Sequence, residues 1–341
     1  MKYISIDLFS GAGGMSEGLR MARFRTKFAF EIDPIASLTY KMNHKRTEVF
    51  TQDIRTVNTK RLQKSLKGQT IHLLAGCPPC QGFSSIRRLN RNQPVEDERN
   101  SLINEYVRFV DDLQPFTIML ENVPGLEMSE DFHRAISYLK AIGYHVEYDI
   151  LNVKDYGVPQ NRKRLVMVGS RLGPISIAKP TNEKATVRTT IFGLPKPEES
   201  TDSVHKIFPR HIDRIQMLIE HIPHDGGSLK DLGEEWQLNC HKAENVGFND
   251  VYGRLRWDTY STTITGGCLN PSKGRFLHPE QDRCITAREA AMLQTFPADY
   301  IFPVGVAKTK IALMIGNALP PKFCQVQANN IREHLNMYIR D

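Results

Sequence analysis

The chain has 341 residues, and its 40% hydrophobic and 24% charged content is ordinary for a globular protein, which excludes a disordered or fibrous chain. The net charge of +7 is a mild excess that is compatible with a polyanionic partner without establishing one. Six cysteines argue against a disulfide scaffold, and no apolar run reaches the ~20 residues of a membrane span. The N-terminus lacks the segments of a signal peptide, so we expect a protein of the reducing cytosol.

Apolar, strand-like runs alternate with helical segments through the first half of the chain. The predicted strands are Tyr3–Phe9, Lys27–Ile32, Val49–Thr51, Ile71–Ala75, Thr117–Glu121, His145–Leu151 and Leu165–Gly169. The predicted helices between them are Ser16–Arg23, Pro34–Asn43, Leu102–Leu113 and Asp131–Ile142. This alternation predicts an α/β fold with a doubly wound, mostly parallel sheet.

The pattern changes near residue 172, where proline, glycine and threonine become frequent and regular periodicity fades. Helical spacing returns near residue 286, and the predicted helices there are Ala287–Phe296, Ala307–Met314 and Pro321–Tyr338. We therefore expect a first domain made of residues 1–171 and 286–341. The second domain, residues 172–285, should be smaller, irregular and β-rich, with a hinge.

A glycine-rich turn, Ser10–Gly14, follows the first predicted strand and precedes a helix. Such turns bring backbone and helix N–H groups close to a ligand, although a plain tight loop has the same sequence pattern. Glu31 ends the second strand, where its carboxylate can accept hydrogen bonds from ribose hydroxyls, and Asp53 ends the third. These positions predict a ligand that contains adenosine. The dinucleotide pattern G-x-G-x-x-G is not matched, because the next glycine is Gly18, and this favours S-adenosylmethionine over NAD.

Two cysteines, Cys77 and Cys80, flank a pair of prolines after the fourth predicted strand. Their spacing is compatible with half a zinc site or a redox pair, but no second pair of ligands follows, and a loop follows instead of a helix. We interpret Cys77 as a small buried residue at a strand end. Cys80 and Glu121 end neighbouring strands, and a thiol beside an acid at the carboxyl edge of a sheet suggests covalent catalysis. For Glu121 alone, a helix cap or an ion pair is an equally good interpretation.

Two arginines at alternate positions, Arg162 and Arg164, precede the seventh predicted strand. In an extended chain both guanidinium groups lie on the same side, which suits the binding of a phosphate or carboxylate. An ordinary basic loop is the alternative interpretation.

Together these segments resemble the cytosine-5 DNA methyltransferase family. The motifs that carry the resemblance are DLFSGAGG, FEIDPIASLTYKMN, PPCQGFS, ENV, QNRKR, RCITAREAAMLQTFP and IGNALPP, in this order. They cover residues 3–170 and about 252–335. The resemblance is specific because so many motifs occur in order at fitting distances. Residues 172–250 lack motif identity, and in this family that region varies and reads the target sequence.

The resemblance implies roles for individual residues. It places the nucleophile at Cys80, the acid that binds cytosine at Glu121, and the paired arginines at Arg162 and Arg164. The implied contacts to S-adenosylmethionine are Phe9, Gly11, Gly13, Glu31, Ile32, Asp53, Ile54, Pro78, Leu102, Asn317 and Ala318. The implied contacts to DNA are Gln81, Ser84, Arg87, Arg88 and Gln160. No metal is expected, and Cys77 stands where the family needs no thiol.

The implied chemistry explains these residue types. Cytosine C5 is a poor nucleophile, and addition of a thiolate to C6 makes C5 enamine-like and able to accept a methyl group. The carboxylate of Glu121 would stabilise charge that builds on the ring. The cytosine must leave the duplex stack, at a cost of about a few kcal/mol. We expect the polar segment Ser84–Asn100 to be a mobile loop that closes over DNA, and we expect base readout from Lys179–Asn249 and Thr263–Arg275.

The expected partner is double-stranded DNA in the bacterial cytoplasm, on the nucleoid, and the protein is expected to act as a monomer. The resemblance is to enzymes of restriction–modification type, so a cognate restriction endonuclease that acts on the same site is a further expected partner. Two alternatives stay open at this stage. The first is a tRNA cytosine-5 methyltransferase of the same chemistry, and the second is a catalytically silent relative that only binds DNA.

Overall fold

The computed structural model describes residues 3–79, 102–236 and 251–339. The chain divides into two units. Unit 1 consists of Met1–Tyr156, Lys163–Thr181 and Leu319–Asp341, and unit 2 consists of Gly157–Arg162 and Asn182–Ala318. These units differ in extent from the domains expected above, and the assignment of separate functions to those domains stays a prediction.

A mixed sheet of seven strands lies in unit 1. The strands are β1 (Tyr3–Leu8), β2 (Phe24–Glu31), β3 (Glu48–Thr51), β4 (Leu73–Gly76), β5 (Thr117–Asn122), β6 (His145–Asn152) and β7 (Lys163–Ser170). Their order across the sheet is β3-β2-β1-β4-β5-β7-β6. Only β7 runs antiparallel, to β5 on one side and β6 on the other. The predicted α/β fold with a mostly parallel sheet is confirmed.

Ten α-helices lie in the described residues. They are α1 (Gly14–Met21), α2 (Pro34–Asn43), α3 (Thr59–Leu66), α4 (Leu102–Leu113), α5 (Glu130–Ala141), α6 (Val187–Ile191), α7 (Asp213–His221), α8 (Ala287–Leu293), α9 (Lys308–Asn317) and α10 (Pro321–Tyr338). None of the described helices is both long and apolar enough to cross a lipid bilayer.

The core of unit 1 forms because its strands are apolar and its helices carry one apolar face. In β1, Ile6 and Leu8 are fully buried in this core. In α4, the buried residues recur every three or four positions and so form one stripe that packs on the sheet; they are Ile103, Tyr106, Phe109, Val110 and Leu113. Each fully buried side chain of this size stabilises the fold by about 1.5–3 kcal/mol.

Helix α10, near the end of the chain, packs closely against α1, near its beginning. A Cβ atom at Gly18 would lie 2.5 Å from the Cβ of Cys324 and 2.5 Å from the carbonyl oxygen of Pro321, so only glycine fits there. The Cys324 thiol also donates to the carbonyl of Met15 at 3.3 Å. The two ends of the chain therefore complete one unit, and α1 keeps the position that aims its N-terminus at the carboxyl edge of the sheet.

Unit 2 is irregular, as predicted, but its described residues hold isolated β-bridges instead of the strands expected of a β-rich domain. The bridges are Gln160–Ser261, Arg254–Leu277 and Leu277–Cys284. Frequent proline and glycine explain the difference, because proline removes ladder donors and glycine weakens a strand. Fully buried Arg254 supports this region, since its guanidinium donates to the carbonyl oxygens of Ile219, Ile222, His278 and Gln281.

Candidate active site

The turn between β1 and α1 has an unusual backbone. Phe9 has φ 58°, in the left-handed region that a bulky side chain rarely adopts, and Gly11 and Gly13 have φ 54° and 97°. Gly13 is the N-cap residue of α1, and beyond the Cα of Gly11 there is open space. Strain at a residue such as Phe9 persists when the surrounding structure fixes it, and it occurs frequently at ligand sites. The turn thus fits a ligand that approaches the backbone.

Glu31 ends β2 beside this turn. Its Oε2 accepts a hydrogen bond from the Gly11 amide at 2.7 Å, and its Oε1 accepts one from the Asp33 amide at 2.7 Å. Burial raises the pKa of Glu31, and the two amide bonds partly oppose that rise. The next side chain, Ile32, is 63% exposed, which is high for a large apolar residue. A carboxylate beside an open apolar side chain fits the ribose and base of an adenosine.

The remaining predicted cofactor residues of unit 1 lie near the same strand ends. Asp53 follows β3 and binds Arg55 through its carboxylate, with Arg55 Nη2 2.6 Å from Asp53 Oδ2. Ile54 begins the short helical turn behind it and is buried. Pro78 follows β4 and Leu102 begins α4. Because these strands are parallel, their carboxyl ends share one edge of the sheet, which is where open α/β sheets bind ligands.

Asn317 and Ala318, which were also predicted to contact the cofactor, belong to unit 2. Asn317 is the last residue of α9, and Ala318 follows it. The carbonyl oxygen of Ala318 lies 3.4 Å from Gln294 Nε2. Their contact with the cofactor stays a prediction.

Glu121 and Arg164 form a buried ion pair in unit 1. Arg164 Nε lies 2.8 Å from Glu121 Oε1, and Glu121 is only 6% exposed. Glu121 is in β5 and Arg164 is in β7, two residues from the position directly opposite, so the two side chains are diagonal neighbours. Burial lowers the pKa of the Arg164 guanidinium, while the Glu121 charge opposes this. The ion-pair interpretation of Glu121 is therefore correct, and its partner is itself a predicted site residue.

The segment that leads to Cys80 lies beside Glu121. The Cys77 amide donates to the carbonyl of Leu8 at 3.2 Å, and Asn122 Nδ2 donates to the carbonyl of Pro78 at 2.8 Å. These bonds fix residues 77–79 at the carboxyl end of β4. Cys80 itself lies outside the described residues, as do the predicted DNA contacts Gln81, Ser84, Arg87 and Arg88 and the predicted loop 84–100.

Arg162 and Gln160 have structural partners inside unit 2. Arg162 is buried and donates to the carbonyl oxygens of Ile264, at 2.8 Å, and Gly316, at 3.0 Å. Gln160 is 0% exposed; its amide nitrogen donates to Gln294 Oε1 at 2.7 Å and its amide oxygen accepts from the Ile264 amide at 2.9 Å. The DNA contact of Gln160 and the catalytic role of Arg162 stay predictions. Both side chains are buried in unit 2, where the Arg162 guanidinium binds backbone carbonyl oxygens.

Sequence reasoning missed the role of Cys77. Burial, followed by the charge of Glu121 and a hydrogen bond to it, raises the pKa of the Cys77 thiol well above its usual range. No local sequence pattern signalled this neighbour, because the register of β4 and β5 is what puts the two residues side by side.

Asp7 was missed as well. Ser16 Oγ donates to Asp7 Oδ2 at 2.6 Å, while Asp7 Oδ1 is buried with no hydrogen-bond partner among the described residues. Burial raises the pKa of Asp7 to about 7, and the Ser16 hydrogen bond opposes that rise. An acidic residue inside an otherwise apolar strand was the signal in the sequence.

Known proteins are similar to this chain over nearly its whole length. A profile described as C-5 cytosine-specific DNA methylase matches residues 3–333. The chain is 35% identical to the Type II methylase M.HgiDII of Herpetosiphon aurantiacus over 97% of this chain and 95% of the relative. It is 31% identical to the Type II methyltransferase M1.HphI of Haemophilus parahaemolyticus over 97% and 87%. A solved E. coli structure, described as a DNA modification methyltransferase encoded within a prophage, superposes with a TM-score of 0.75 and 25% identity, covering 98% of this chain and 100% of that one.

The matched region spans both units and contains every motif that carried the resemblance. Several of these relatives are named Type II methylases or methyltransferases, and such names denote methylases of restriction–modification systems. The fold agrees with that of S-adenosylmethionine-dependent methyltransferases. The chain therefore belongs to the C-5 cytosine-specific DNA methylase family and is a DNA (cytosine-5-)-methyltransferase.

Proposed function

We propose that this enzyme transfers a methyl group from S-adenosylmethionine to C5 of a cytosine that has been flipped out of a specific duplex DNA sequence. The observation that carries the proposal is the buried Glu121–Arg164 pair, which lies next to the rigid Cys77–Pro79 lead-in to Cys80. Covalent catalysis on a pyrimidine requires an acid close to the nucleophile, and Glu121 is held next to the residues that precede Cys80.

Cys80 acts as the nucleophile. Its thiolate adds to C6 of the ring, the C5–C6 double bond opens, and the electron pair moves towards C5 and the N3 side of the ring. C5 would then accept the methyl group, whose bond to the sulfonium sulfur of S-adenosylmethionine breaks and leaves S-adenosylhomocysteine. The C5 proton leaves to a base such as water, and the bond between the Cys80 sulfur and C6 breaks. This last step restores the double bond and returns the thiolate.

Glu121 binds the edge of the same ring. Its carboxyl group hydrogen-bonds N3 and the N4 amino group, and so stabilises charge that appears on the ring after the sulfur adds. Arg164, at 2.8 Å, holds that carboxyl group in one orientation. The 6% exposure of Glu121 strengthens these interactions, because water is largely excluded from around the acid.

S-adenosylmethionine, when bound, supplies an electrophilic methyl group. The residues that would hold it are at the carboxyl ends of the first strands. The Gly11–Gly13 turn would face the ligand with its backbone, Glu31 would accept hydrogen bonds from the ribose hydroxyls, and the exposed Ile32 would cover one face of the adenine. Asp53 would accept a hydrogen bond from the adenine amino group. The Glu31 carboxylate already accepts two amide hydrogen bonds, so it is oriented for this role.

DNA binding requires residues beyond this edge. The loop 84–100 contains four arginines, Arg87, Arg88, Arg91 and Arg99, which we assign to phosphate contacts when the loop closes. Base readout belongs to the second domain, residues 172–285, in which residues 172–250 lack motif identity with the family. The biological role is protection of host DNA from a cognate endonuclease on the bacterial nucleoid, and the enzyme works as a monomer.

The decisive test traps the covalent intermediate. Duplex DNA in which the target cytosine carries fluorine at C5 cannot lose a proton from that position, so the sulfur–C6 bond should persist after methyl transfer. Protein incubated with this DNA and S-adenosylmethionine should form a complex that survives denaturing electrophoresis. Mass spectrometry should locate the attached DNA at Cys80. The Cys80→Ser variant is the control and should form none. Wild-type protein that forms no adduct would rule out this mechanism.

A second experiment separates DNA from RNA. The chemistry of a tRNA cytosine-5 methyltransferase would use the same residues, so the substrate must be tested directly. Methyl transfer to duplex DNA and to tRNA should be compared under one set of conditions, and we expect the signal on DNA alone. Bisulfite sequencing of DNA from an expressing host then identifies the target sequence, and unmethylated host DNA would contradict the protective role.

A further inference from the structure

Cys77 and Glu121 stand side by side at the carboxyl edge of the sheet. Strands β4 and β5 are parallel, and Gly76 pairs with Leu120, so the next residue of each strand, Cys77 and Glu121, is a neighbour on the same face. Hydrogen bonds on both sides fix this place. The Cys77 amide binds the carbonyl of Leu8 at 3.2 Å, and Asn122 binds the carbonyl of Pro78 at 2.8 Å.

The Glu121 carboxylate is therefore contacted from both neighbouring strands. Strand β5 lies between β4 and β7 in the sheet. From β7, Arg164 Nε reaches Glu121 Oε1 at 2.8 Å. From β4, Cys77 lies beside the same carboxylate, and the charge of Glu121 and a hydrogen bond to it raise the pKa of the thiol. A carboxylate only accepts hydrogen bonds, so the thiol is the donor.

The state of the thiol agrees with a donor role. Burial, and after it the charge of Glu121, raises the pKa of Cys77 well above its usual range, so the sulfur keeps its proton at neutral pH. Cys77 is therefore unsuited to the nucleophilic role of Cys80, which needs a thiolate. The two cysteines of the C-x-x-C pattern therefore have different roles. Cys80 would attack the cytosine ring, and Cys77 contacts Glu121, the acid that binds the ring.

We propose that Cys77 is a positioning residue of the methyl-transfer reaction, and that its S–H group, together with Arg164, holds the Glu121 carboxylate in the orientation that binds the cytosine ring. The inference rests on the proposed function of Glu121. It extends that function to a residue that touches neither the substrate nor the reacting atoms.

The test compares variants that keep or lose the donor. Cys77→Ala removes the thiol, Cys77→Val removes it while filling the space, and Cys77→Ser keeps a hydroxyl donor. Cys268→Ala, which removes a buried thiol of unit 2, is the matched control. The measurements are the single-turnover rate of methyl transfer to duplex DNA, the KM for DNA and for S-adenosylmethionine, and the thermal unfolding midpoint.

We expect Cys77→Ala and Cys77→Val to slow methyl transfer by up to about tenfold, the effect of one lost hydrogen bond to a charged group. Both KM values should stay within about twofold of wild type, since substrate binding is not the step affected. Cys77→Ser should restore the rate, and Cys268→Ala should leave it unchanged.

The inference is overturned if Cys77→Ala and Cys77→Val transfer methyl groups at the wild-type rate. It is also overturned if Cys77→Ser is as slow as Cys77→Ala, because the sulfur would then matter only for packing. Wild-type protein that transfers no methyl group to duplex DNA is a separate result. It refutes the proposed function, and with it the role of Cys77.

Discussion

Two buried glutamate–arginine pairs, one in each unit, differ in how fully their carboxylates are used. In unit 2, Glu289 accepts two hydrogen bonds from Arg283, at 2.8 and 2.7 Å, and a third from the Thr286 amide at 2.7 Å. In unit 1, Glu121 accepts one bond from Arg164 at 2.8 Å and one from the Cys77 thiol, and no other partner is recorded for it among the described residues. The first carboxylate is saturated, whereas the second keeps acceptor capacity.

This difference separates a structural pair from a functional one. A carboxylate has about four acceptor positions, and a buried one is stable when donors fill them. Burial raises the pKa of Glu289, but the hydrogen bonds and charge of Arg283 outweigh it, so the net pKa lies below the usual value. Glu289 therefore stays ionised and fixes the capping box of α8. Glu121 is held by fewer donors, which leaves lone pairs for a ligand at the sheet edge.

Breaking the saturated pair should cause the largest loss of stability. Glu289→Gln leaves Arg283 buried without its counter-charge, so we expect the free energy of unfolding to fall by about 3–5 kcal/mol. Urea unfolding followed by circular dichroism measures this loss. The double variant Arg283→Met, Glu289→Leu removes both charges and should recover part of the stability. A single variant as stable as wild type would mean that this pair is not structural.

Changing the unsaturated pair should affect the reaction and leave the fold intact. Glu121→Gln keeps the shape of the side chain but loses its charge, and we expect the single-turnover rate of methyl transfer to fall by about 10²- to 10³-fold. The thermal midpoint should fall less than in Glu289→Gln, since Glu121 contacts one arginine nitrogen in its ion pair, whereas the three hydrogen bonds of Glu289 use both carboxylate oxygens. If Glu121→Gln were unfolded at room temperature, and its folded fraction transferred methyl groups at the wild-type rate, the Glu121 pair would be structural and the contrast with Glu289 would be wrong.

A third buried carboxylate, Asp7, should make stability depend on pH. Its pKa is raised to about 7 by burial, whereas an unfolded aspartate titrates near ~3.9. Between these values the folded chain holds a proton that the unfolded chain has lost, so stability falls as pH rises through this window. We expect a loss of about 2 kcal/mol between about pH 5 and about pH 8.

Replacement of Asp7 tests this directly. Urea unfolding at several pH values should show a shallower slope for Asp7→Asn than for wild type, because the amide does not titrate. Asp299→Asn, at an exposed aspartate, is the matched control and should keep the wild-type slope. Parallel slopes for Asp7→Asn and wild type would show that Asp7 is already ionised in the folded protein.

The smallest effect is expected at an exposed pair. Arg188 binds Asp258 through two bonds, at 2.7 and 2.9 Å, but the Asp258 side chain is 73% exposed. Water and salt screen such pairs, so Asp258→Asn should move the thermal midpoint by less than about 2 °C. A larger shift would show that burial is not what distinguishes Asp258 from the three buried carboxylates.

The sequence was informative where local pattern decides the structure. Periodicity predicted all of the strands and helices of the sheet domain except α3, Thr59–Leu66, whose sequence TKRLQKSL buries only Thr59, Leu62 and Leu66. Motif spacing likewise led to the glycine turn and to Glu121. It did not reveal α6 and α7, which are short and lie among prolines and glycines, where tertiary contacts decide the conformation.

The partners of individual site residues were harder to predict. Arg162 and Arg164 were expected to act together because alternate residues of a strand share a face. In the structure Arg162 ends the segment Gly157–Arg162 of unit 2 and Arg164 belongs to β7, so their surroundings differ. The contacts of Gln160 and Cys77 likewise depend on strand register and on residues more than 40 positions away, which no local pattern encodes.

The tight contact between Gly18 and Cys324 has a consequence for synthesis of the protein. The first helix is made early, but the surface that covers it is translated some 300 residues later. Until that final segment emerges from the ribosome, the nascent chain exposes an uncovered apolar surface and depends on chaperones. A premature stop codon just before Pro321 would leave every motif intact up to Pro320, the first proline of IGNALPP. We nevertheless expect the truncated product to be degraded, because α1 would stay uncovered.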